Sequence, residues 1–384
     1  MTGKIKKNLL ILGVYPESAG YPNIKYRLED LAKLADFAVV ILHKAIWQNN
    51  ISNQKIPQLL TTGWRFVAAH GIILIQYLKH PHKELIYIPY PAVFISCLLS
   101  ILPQRYRPKR LILDAFISLY DTICIDRGYF STGHIVAKLL FHIERRAYQN
   151  SSAVIVDTEQ NALYLSELFN LPQQLFVAIP LSTNEQHLPA PAYPKPSPNK
   201  IFQVLFIGTL IPLQGVEVIV GAIKLLAQQT NVVFKIIGDG QMAPLIAEVI
   251  ATNPNNLIWI KEWQEQTHLL AAIQNADICL GIFGSTAKTQ RVCPLKIYHY
   301  AACGRAIITA KTDWMHANTQ NHLTPPFILI PPGSAEVLAA AIKNLITQPE
   351  QIKHYAQAAQ QFYTQSLSNQ HALKQLLPLL LNVN

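Results

Sequence analysis

The chain has 384 residues, of which half are apolar and 14% are charged, and its formal net charge is +10. This length exceeds one ordinary hydrophobic core and predicts two domains, while the apolar content excludes a disordered chain. Residues 1–190 hold 19 Lys and Arg against 13 Asp and Glu, so the positive charge is diffuse. A diffuse excess favours anionic small molecules or an anionic membrane surface over nucleic acid, which requires a dense basic stripe.

The cysteines and the apolar runs narrow the protein class further. Five cysteines with no CxxC pair predict reduced thiols in a cytoplasmic protein, with no disulfide framework and no metal site. The run from Leu9 to Val14 is too short for an export signal and predicts a buried first strand. The longest apolar helix candidate, Ala92 to Leu102, has 11 residues, fewer than the roughly 18–20 of a membrane span.

The first half alternates short apolar runs with segments of helical spacing. After the first strand, Gly13 to Asn23 is predicted as a turn-rich segment, and Tyr26 to Leu34 as a helix. Further strands are predicted at Ala38–Leu42, Leu85–Ile88, Leu111–Leu113 and Ala153–Val156. This alternation is typical of an α/β domain with a parallel sheet covered on both faces.

A proline-rich segment from Leu188 to Lys200 interrupts the pattern, with five prolines in thirteen residues. Proline donates no backbone hydrogen bond, so this segment is predicted as a linker. It separates an N-terminal domain, residues 1–187, from a second α/β domain, residues 201–348. The remaining residues, 349–384, are predicted as one closing helix that packs back on the first domain. The fold class is therefore two Rossmann-like parallel-sheet domains.

Glycine turns follow two predicted strands of the second domain. In GTLIPLQGV, Gly208 ends a strand and a second glycine opens a helix, an arrangement that lets backbone amides approach an anion. In KIIGDG, Gly238, Asp239 and Gly240 form a similar turn, in which Asp239 has the alternative role of ordering its own backbone. Thr209 belongs to the first turn. A plain strand–turn–helix remains the alternative for both segments.

Two further segments complete the candidate site. The segment LIWIKEW ends at Trp263, which is suited to meet a nucleotide base or to serve as core. The segment from Gly281 to Ala310 contains Gly284 and a helix expected between Pro294 and Gly304. Arg291 precedes that helix, and Lys296 and His299 lie three residues apart near its start. Two cations and an imidazole at a helix N-terminus predict an anion site, with merely solvated cations as the alternative.

In the first half, polar residues follow the predicted strand Leu111–Leu113. They include Asp114, Ser118, Asp121 and Arg127, and ligands of open α/β sheets bind at such strand ends. Turn and cap roles are the alternative for the aspartates. A separate cationic segment, with Arg105, Arg107, Lys109 and Arg110, follows the apolar run Ala92–Leu102. This combination predicts peripheral contact with an anionic membrane, and a core helix with a solvated loop is the alternative.

Together, the four segments of the second half resemble the donor domain of family 4 glycosyltransferases of the GT-B fold. Eight residues match the family pattern: Gly208, Gly238, Asp239, Gly240, Pro294, Lys296, Ala302 and Gly304. The family's paired glutamates, which grip the donor sugar and the ribose, are replaced by Arg291 and His299. The basic residues that clasp the diphosphate are replaced by Thr209 and Gln214. The chain thus resembles a subset that lacks the glutamates.

The resemblance implies transfer of a sugar, with retention and without a metal or other cofactor, from a nucleotide-diphosphate sugar to a glycan or lipid-linked acceptor in polysaccharide or glycolipid synthesis. It implies that Lys296 and Arg291 stabilise the diphosphate, that His299 holds a ribose hydroxyl and that Asp114 contacts the reacting sugar. Gly13 would face the donor. The alternatives are a non-catalytic nucleotide-sugar-binding partner subunit and a nucleotide-sugar epimerase. The expected location is cytoplasmic, or peripheral on the inner face of the plasma membrane.

Overall fold

The structure is a computed structural model, and it describes residues 6–15, 22–45, 56–193, 200–252 and 255–381. The chain forms two compact units. The first comprises Met1–Thr183 together with Ala372–Asn384, and the second comprises Asn184–His371. Residues 194–199 of the predicted proline-rich linker lie outside the described residues, as do residues 16–21 of the predicted turn-rich segment.

The first unit is built on a six-stranded parallel sheet in the order β2-β1-β3-β4-β5-β6. Its elements, in chain order, are β1 (Lys7–Tyr15), α1 (Pro22–Ala32), β2 (Phe37–Ala45), α2 (Ile56–Lys79), β3 (Leu85–Ile88), α3 (Val93–Ser100), β4 (Arg110–Phe116), α4 (Ile135–Gln149), β5 (Ala153–Val156), α5 (Glu159–Phe169) and β6 (Phe176–Ala178). The buried strands β3 and β5 have no exposed face, as expected for a parallel sheet between two helical layers.

The second unit repeats this architecture, with strand order β12-β11-β10-β7-β8-β9. Its elements are β7 (Phe202–Ile207), α6 (Val216–Leu225), β8 (Val232–Ile237), α7 (Ala243–Ala251), β9 (Leu257–Ile260), α8 (Gln266–Asn275), β10 (Ile278–Leu280), α9 (Ala287–Arg291), α10 (Leu295–Ala302), β11 (Ala306–Ala310), α11 (Asp313–Thr319), β12 (Ile328–Ile330), α12 (Ala335–Thr347) and α13 (Pro349–Phe362). The last helix, α14 (Asn369–Leu381), follows. The predicted fold class, α/β with two Rossmann-like parallel-sheet domains, is confirmed.

Two boundaries differ from the sequence predictions. Strand β1 continues past Gly13 to Tyr15, because each of its residues pairs with β2 in register, so Gly13 is strand and not turn. The predicted closing helix is divided into α13 and α14 by a widened π turn, Tyr363–Leu367, and by Ser368, whose extended backbone ends the first helix. The Ser368 hydroxyl accepts a hydrogen bond from the amide of His371 and caps the second helix.

The two faces of the first sheet bury different layers. One face packs against α2, α3, α4 and α5. The other face packs against α1 and against the end of α14, through Ala372, Leu376 and Leu380. The side chain of Lys7 also donates to the carbonyl of Leu381 at 2.9 Å. The end of the chain therefore completes the core of the first unit.

Candidate functional site at the carboxyl edge of the second sheet

Adjacent strands of the second sheet end in glycine turns that pack backbone against backbone. Strands β7 and β8 are neighbours, and Gly208 and Gly238 follow them directly. A Cβ atom on Gly238 would lie 2.0 Å from the carbonyl oxygen of Gly208, which no side chain tolerates. Gly240 is equally constrained, because its Cβ would lie 2.7 Å from the carbonyl oxygen of Leu210. These glycines are thus required by the packing of the two turns, apart from any ligand.

A second pair of glycines joins β10 to the start of α6. A Cβ on Gly215 would lie 2.4 Å from the carbonyl carbon of Phe283, and one on Gly284 would lie 2.5 Å from the carbonyl oxygen of Pro212. The amide of Phe283 donates to the carbonyl of Gln214 at 3.0 Å. The loop after β10 therefore fixes the turn that carries Gln214, and Gln214 itself is buried.

Lys296 extends from the first turn of α10 to this edge of the sheet. Its ammonium donates to Oε1 of Gln214 at 2.6 Å and lies 3.5 Å from the carbonyl oxygen of Gly281. The nitrogen lies 3.7 Å from the centre of the Phe206 ring. It also lies 2.9 Å from the position that a Cβ on Gly208 would occupy. The absent side chain of Gly208 therefore makes room for the amine.

The electrostatics of Lys296 are unusual for a buried cation. The residue is only 9% exposed, and burial holds the pKa of its amine well below the usual range. Within the described parts of the chain, no carboxylate forms an ion pair with it. Neutral oxygens and an aromatic ring are its partners, and they offset only part of the cost of removing a charge from water. An anion would favour the charged form of this amine.

Helix α10 is held at both ends and in the middle. Pro294 occupies the N-cap position, one residue before the first helical position that the sequence suggests for it. Gly304, just past the end, adopts a φ of +64°, as the sequence predicts. In the middle, the buried hydroxyl of Tyr300 accepts a hydrogen bond from the amide of Ile207 at 3.0 Å. Since Ile207 is the last residue of β7, this bond fixes the helix that carries Lys296 against the strand that carries Gly208.

His299 lies one turn after Lys296 on the same helix. Its Nε2 atom is buried and has no hydrogen-bond partner in the described part of the chain. Burial lowers the pKa of the imidazole to about 4, so the ring is neutral near pH 7. A neutral ring holds one donor and one acceptor. Arg291 is half-buried at the end of α9, five residues before Lys296.

The predicted residues of the β7, β8 and β9 turns differ in exposure. Thr209 is exposed. Asp239 accepts from the amide of Gly240 at 2.9 Å and lies 4.0 Å from the ammonium of Lys261, so its carboxylate orders the turn, which is the alternative that the sequence left open. Trp263 is 68% exposed, whereas the indole nitrogen of Trp259 donates to the carbonyl of Gly238 at 2.9 Å. Trp259 is thus the tryptophan that supports the glycine turn.

Two predicted site residues of the first unit lie within its strands. Gly13 is buried inside β1. Asp114 lies in β4 and accepts from the hydroxyl of Tyr87, in β3. Burial raises the pKa of its carboxyl, and the guanidinium of Arg27 acts in the opposite direction. This carboxylate is therefore supported by an aromatic hydroxyl and a cation of its own unit.

The residues predicted on the acceptor side are organised by Glu144 of α4. Its buried carboxylate accepts from the hydroxyl of Ser118 at 3.0 Å and from the amides of Leu119 and Tyr120 at 3.0 and 2.8 Å. Asp121 is also buried and accepts from Tyr164 at 2.9 Å. The side chains of Ser118 and Asp121 are therefore held by partners within the first unit, and for Asp121 this fits the structural role that is the alternative for the aspartates. Arg127 is exposed.

Four residues of these networks are absent from the set of candidate residues predicted from the sequence. The sequence marks Gln214 only as a position where the resembled family has a cation, and it gives no site signal at Trp259 or Tyr300. Each acts through a contact with a residue distant in the chain; Gln214 and Lys296, for example, are 82 positions apart. Only Glu144 has a signal in the sequence, because it is a glutamate on the apolar side of an amphipathic helix. The described residues contain no cluster of His, Cys, Asp or Glu able to hold a metal ion.

Comparison with known proteins places this geometry in a class. A family model described as glycosyl transferases group 1 matches residues 201–348. The structure of HepE from Anabaena in complex with UDP superposes with a TM-score of 0.66 and 16% identity, covering 98% of this chain and 100% of that one. Sucrose-phosphate synthase from Thermosynechococcus elongatus gives 0.69 and 16%, with coverage of 96% and 97%. No curated protein matches the chain at significant similarity.

The two parallel-sheet units and these superpositions define the class of the chain, which is the GT-B fold. Residues 201–348, within the second unit, are similar to glycosyl transferases group 1. The four motif segments of the resemblance fall inside the matched range, and the first unit lies outside it.

Proposed function

We propose that the chain transfers a sugar from a nucleotide-diphosphate sugar to a hydroxyl of a glycan or lipid-linked acceptor. One observation carries the proposal: the buried ammonium of Lys296 stands at the carboxyl edge of a parallel sheet with no carboxylate partner among the described residues. Open α/β sheets bind ligands at that edge, and an anionic diphosphate is the partner that this amine lacks.

The donor class has independent support from proteins of the same fold. HepE forms complexes with UDP, with UDP and glucose, and with UDP-glucose. We propose a nucleoside diphosphate sugar as the donor of this chain, with its diphosphate at Lys296 and the N-terminus of α10. Departure of the nucleoside diphosphate develops negative charge on the leaving oxygens, and a preorganised cation in a dry site stabilises it at little reorganisation cost.

Three further roles belong to the same proposal. Arg291 adds a second cation for the diphosphate. His299, neutral because burial lowers its pKa to about 4, holds a ribose hydroxyl through its donor or acceptor nitrogen. Asp114 contacts the reacting sugar. Retention of the anomeric configuration, a reaction without metal or cofactor and a place in polysaccharide or glycolipid synthesis are proposed from the resemblance.

The test is a panel of nucleotide sugars screened for thermal stabilisation of the intact chain, followed by product analysis with the best donor. A ligand that binds only the folded state raises the melting temperature, by an amount that grows with its concentration over the dissociation constant. We expect a UDP- or GDP-sugar to stabilise the chain and to be consumed when a hydroxyl acceptor is present. Absence of stabilisation by every donor would refute the proposal.

A second candidate, a non-catalytic nucleotide-sugar-binding subunit, is favoured by one observation. Arg291 and His299 occupy the positions where the family has its sugar-gripping glutamates. The product analysis separates the two candidates, since a binding subunit is stabilised by the donor but neither transfers nor hydrolyses it. An epimerase would convert the donor sugar without any acceptor.

A further inference from the structure

The first unit carries an exposed apolar face on helix α2. Trp64 is 72% exposed, Val67 61% and Ile75 54%, and Ile72 is also exposed. These positions recur at spacings of three to five residues along the helix, so they form one stripe, while Ala69, Ile73 and Tyr77 on the opposite side are buried in the core. We call the four exposed residues the α2 stripe.

The α2 stripe belongs to a wider concentration of exposed apolar side chains. Of the twenty large apolar side chains that are exposed in the described residues, ten lie between Trp64 and Leu139. Helix α4, which lies in the same layer as α2 and α3, contributes Ile135 at 73% exposure and Leu139 at 59%. Scattered exposed leucines need no explanation, but a concentration in one helical layer indicates an interaction surface.

Cations lie at the carboxyl end of helix α2, next to the α2 stripe. Helix α2 contains no acidic residue, and Lys79 lies in its last turn. Beyond that turn, Lys83 donates to the carbonyl of Leu78, and the hydroxyl of Tyr77 donates to the carbonyl of Tyr106, which places the segment with Arg105 and Arg107 beside the end of the helix. Glu84 is the exposed acid of this region.

The cationic segment predicted from the sequence contacts the end of α2 as well as the residues that follow α3. Five residues of α3 are buried, and its neighbours are α2, through the edge-on contact of Phe66 with Phe94, and α4, through the bond from Arg146 to Ser100. Arg107 donates to the carbonyl of Leu102, and Arg110 begins β4 with Lys109 just ahead of it. Helix α3 is thus a core helix, which is one of the two interpretations that the sequence allows for the run Ala92–Leu102. None of the described helices is long and apolar enough to cross a bilayer.

We propose that the α2 stripe and its flanking cations dock the chain on an anionic lipid surface. An amphipathic helix that lies in a membrane interface presents a tryptophan and aliphatic residues on one side, with Lys and Arg beside them. Each cation near an anionic leaflet adds to the attraction, whereas a protein partner would be expected to need acids matched to these cations. The proposal goes beyond the glycosyl transfer and does not depend on it.

The experiment is co-sedimentation of the full chain with vesicles of phosphatidylcholine and with vesicles containing phosphatidylglycerol. We expect binding to the anionic vesicles that weakens as NaCl rises, because salt screens exposed charges. The double variant Trp64→Ser, Ile75→Ser removes apolar area without touching the core and should lower the partition coefficient by at least about tenfold. The matched control, Leu225→Ser with Leu323→Ser, removes two exposed leucines of the second unit and should leave binding unchanged.

The charge component has its own variant. Replacing Lys79, Lys83, Arg105 and Arg107 by Gln should abolish the preference for anionic vesicles, while circular dichroism and the melting temperature report that each variant is folded. Undiminished vesicle binding of the double variant would overturn the proposal. It would equally be overturned if the chain bound no vesicle and the same substitutions dissociated a dimer in sedimentation velocity, because the stripe would then be an interface between copies.

Discussion

The ammonium of Lys296 and the side-chain oxygen of Gln214 lie 2.6 Å apart, with both residues buried. Gln214 stands where the resembled family has a basic residue, whereas Lys296 matches the family. The family therefore has two cations at these positions, and this chain has one cation and one amide. The amide oxygen orients the ammonium without neutralising it. The amine is thus held in place beside Gly208, and an anionic ligand there would favour its charged form.

Removal of the amine tests whether Lys296 binds the diphosphate. We expect Lys296→Ala to raise the dissociation constant for the nucleoside diphosphate by at least about tenfold, a loss of roughly 1.4 kcal/mol or more. Isothermal titration of the wild type and the variant measures the change. Lys343→Ala, which removes an exposed lysine of α12, is the matched control. Equal affinity of Lys296→Ala and the wild type would remove this residue from the site.

A carboxylate at position 214 tests the charge of the pair. In Gln214→Glu, an acid at hydrogen-bond distance would raise the pKa of Lys296 and form an ion pair with the ammonium. Because the carboxylate then offsets the charge that the diphosphate would contact, affinity for the nucleoside diphosphate should fall by about tenfold or more. Gln214→Leu removes the hydrogen bond but adds no charge, and should weaken binding less. In titration calorimetry we expect the affinity to decrease from the wild type to Gln214→Leu and further to Gln214→Glu. Wild-type affinity in Gln214→Glu would contradict this expectation.

The contact between Gly208 and Gly238 predicts a strong effect on stability. Gly238→Ala places a Cβ on the carbonyl oxygen of Gly208 and forces an alanine to a φ of +145°, so we expect a loss of about 3 kcal/mol or more in the free energy of unfolding. Gly63→Ala is the control, because its Cβ meets nothing within 4 Å and it lies inside α2. That change should stabilise by about 0.5–1 kcal/mol. Denaturant titration compares them, and an unaffected Gly238→Ala would show that the turns can separate.

The imidazole of His299, whose Nε2 atom is buried, predicts a dependence of stability on pH. Its pKa is lowered to about 4 in the folded chain and is near 6.5 when unfolded, so the unfolded state binds the proton more tightly between these values. The contribution of the neutral imidazole to the free energy of unfolding is therefore fully present above pH 6.5. It is lost as the pH falls towards 4, and the loss reaches up to about 3 kcal/mol.

The variant His299→Gln isolates this effect from the other titrating groups. The difference in free energy of unfolding between the wild type and His299→Gln should shift in favour of the variant as the pH is lowered from 7 to 4.5. Denaturant unfolding at several pH values measures this difference. Glutamine is the replacement because its amide is near the size of the ring and does not titrate. A difference that stays constant with pH would show that the pKa of the imidazole is the same in the folded and the unfolded chain.

Much of the fold follows from periodicity. The alternation of apolar runs and helical spacing predicts strands such as Leu85–Ile88 and Ala153–Val156, which the structure has at those bounds. Pro294 and Gly304 delimit α10 because each has a backbone preference that fits one end of a helix. The break at Ser368 was missed, since apolar spacing continues across it and only the capping contact reveals it.

The candidate site was predictable only in part, for a physical reason. Lys296 stands out as a cation at a helix start, but its isolation from carboxylates depends on which loops surround it. Likewise, Gly238 carries a recognisable turn sequence, while its need for glycine comes from the carbonyl of Gly208, 30 residues away. Residue type and spacing indicate local backbone geometry, whereas burial and partners arise from packing between distant segments.

The position of α14 has a consequence for dissecting the chain. A fragment that ends at Thr183 would contain all six strands of the first sheet but would lack Ala372, Leu376 and Leu380, which cover Ile11 and its neighbours. Its uncovered leucine-, isoleucine- and tyrosine-rich face would promote aggregation, as exposed apolar surface of this kind does. Separate expression of the first unit therefore calls for rejoining residues 372–384 to Thr183 through a flexible linker, whereas residues 184–371 form an uninterrupted stretch suited to expression alone.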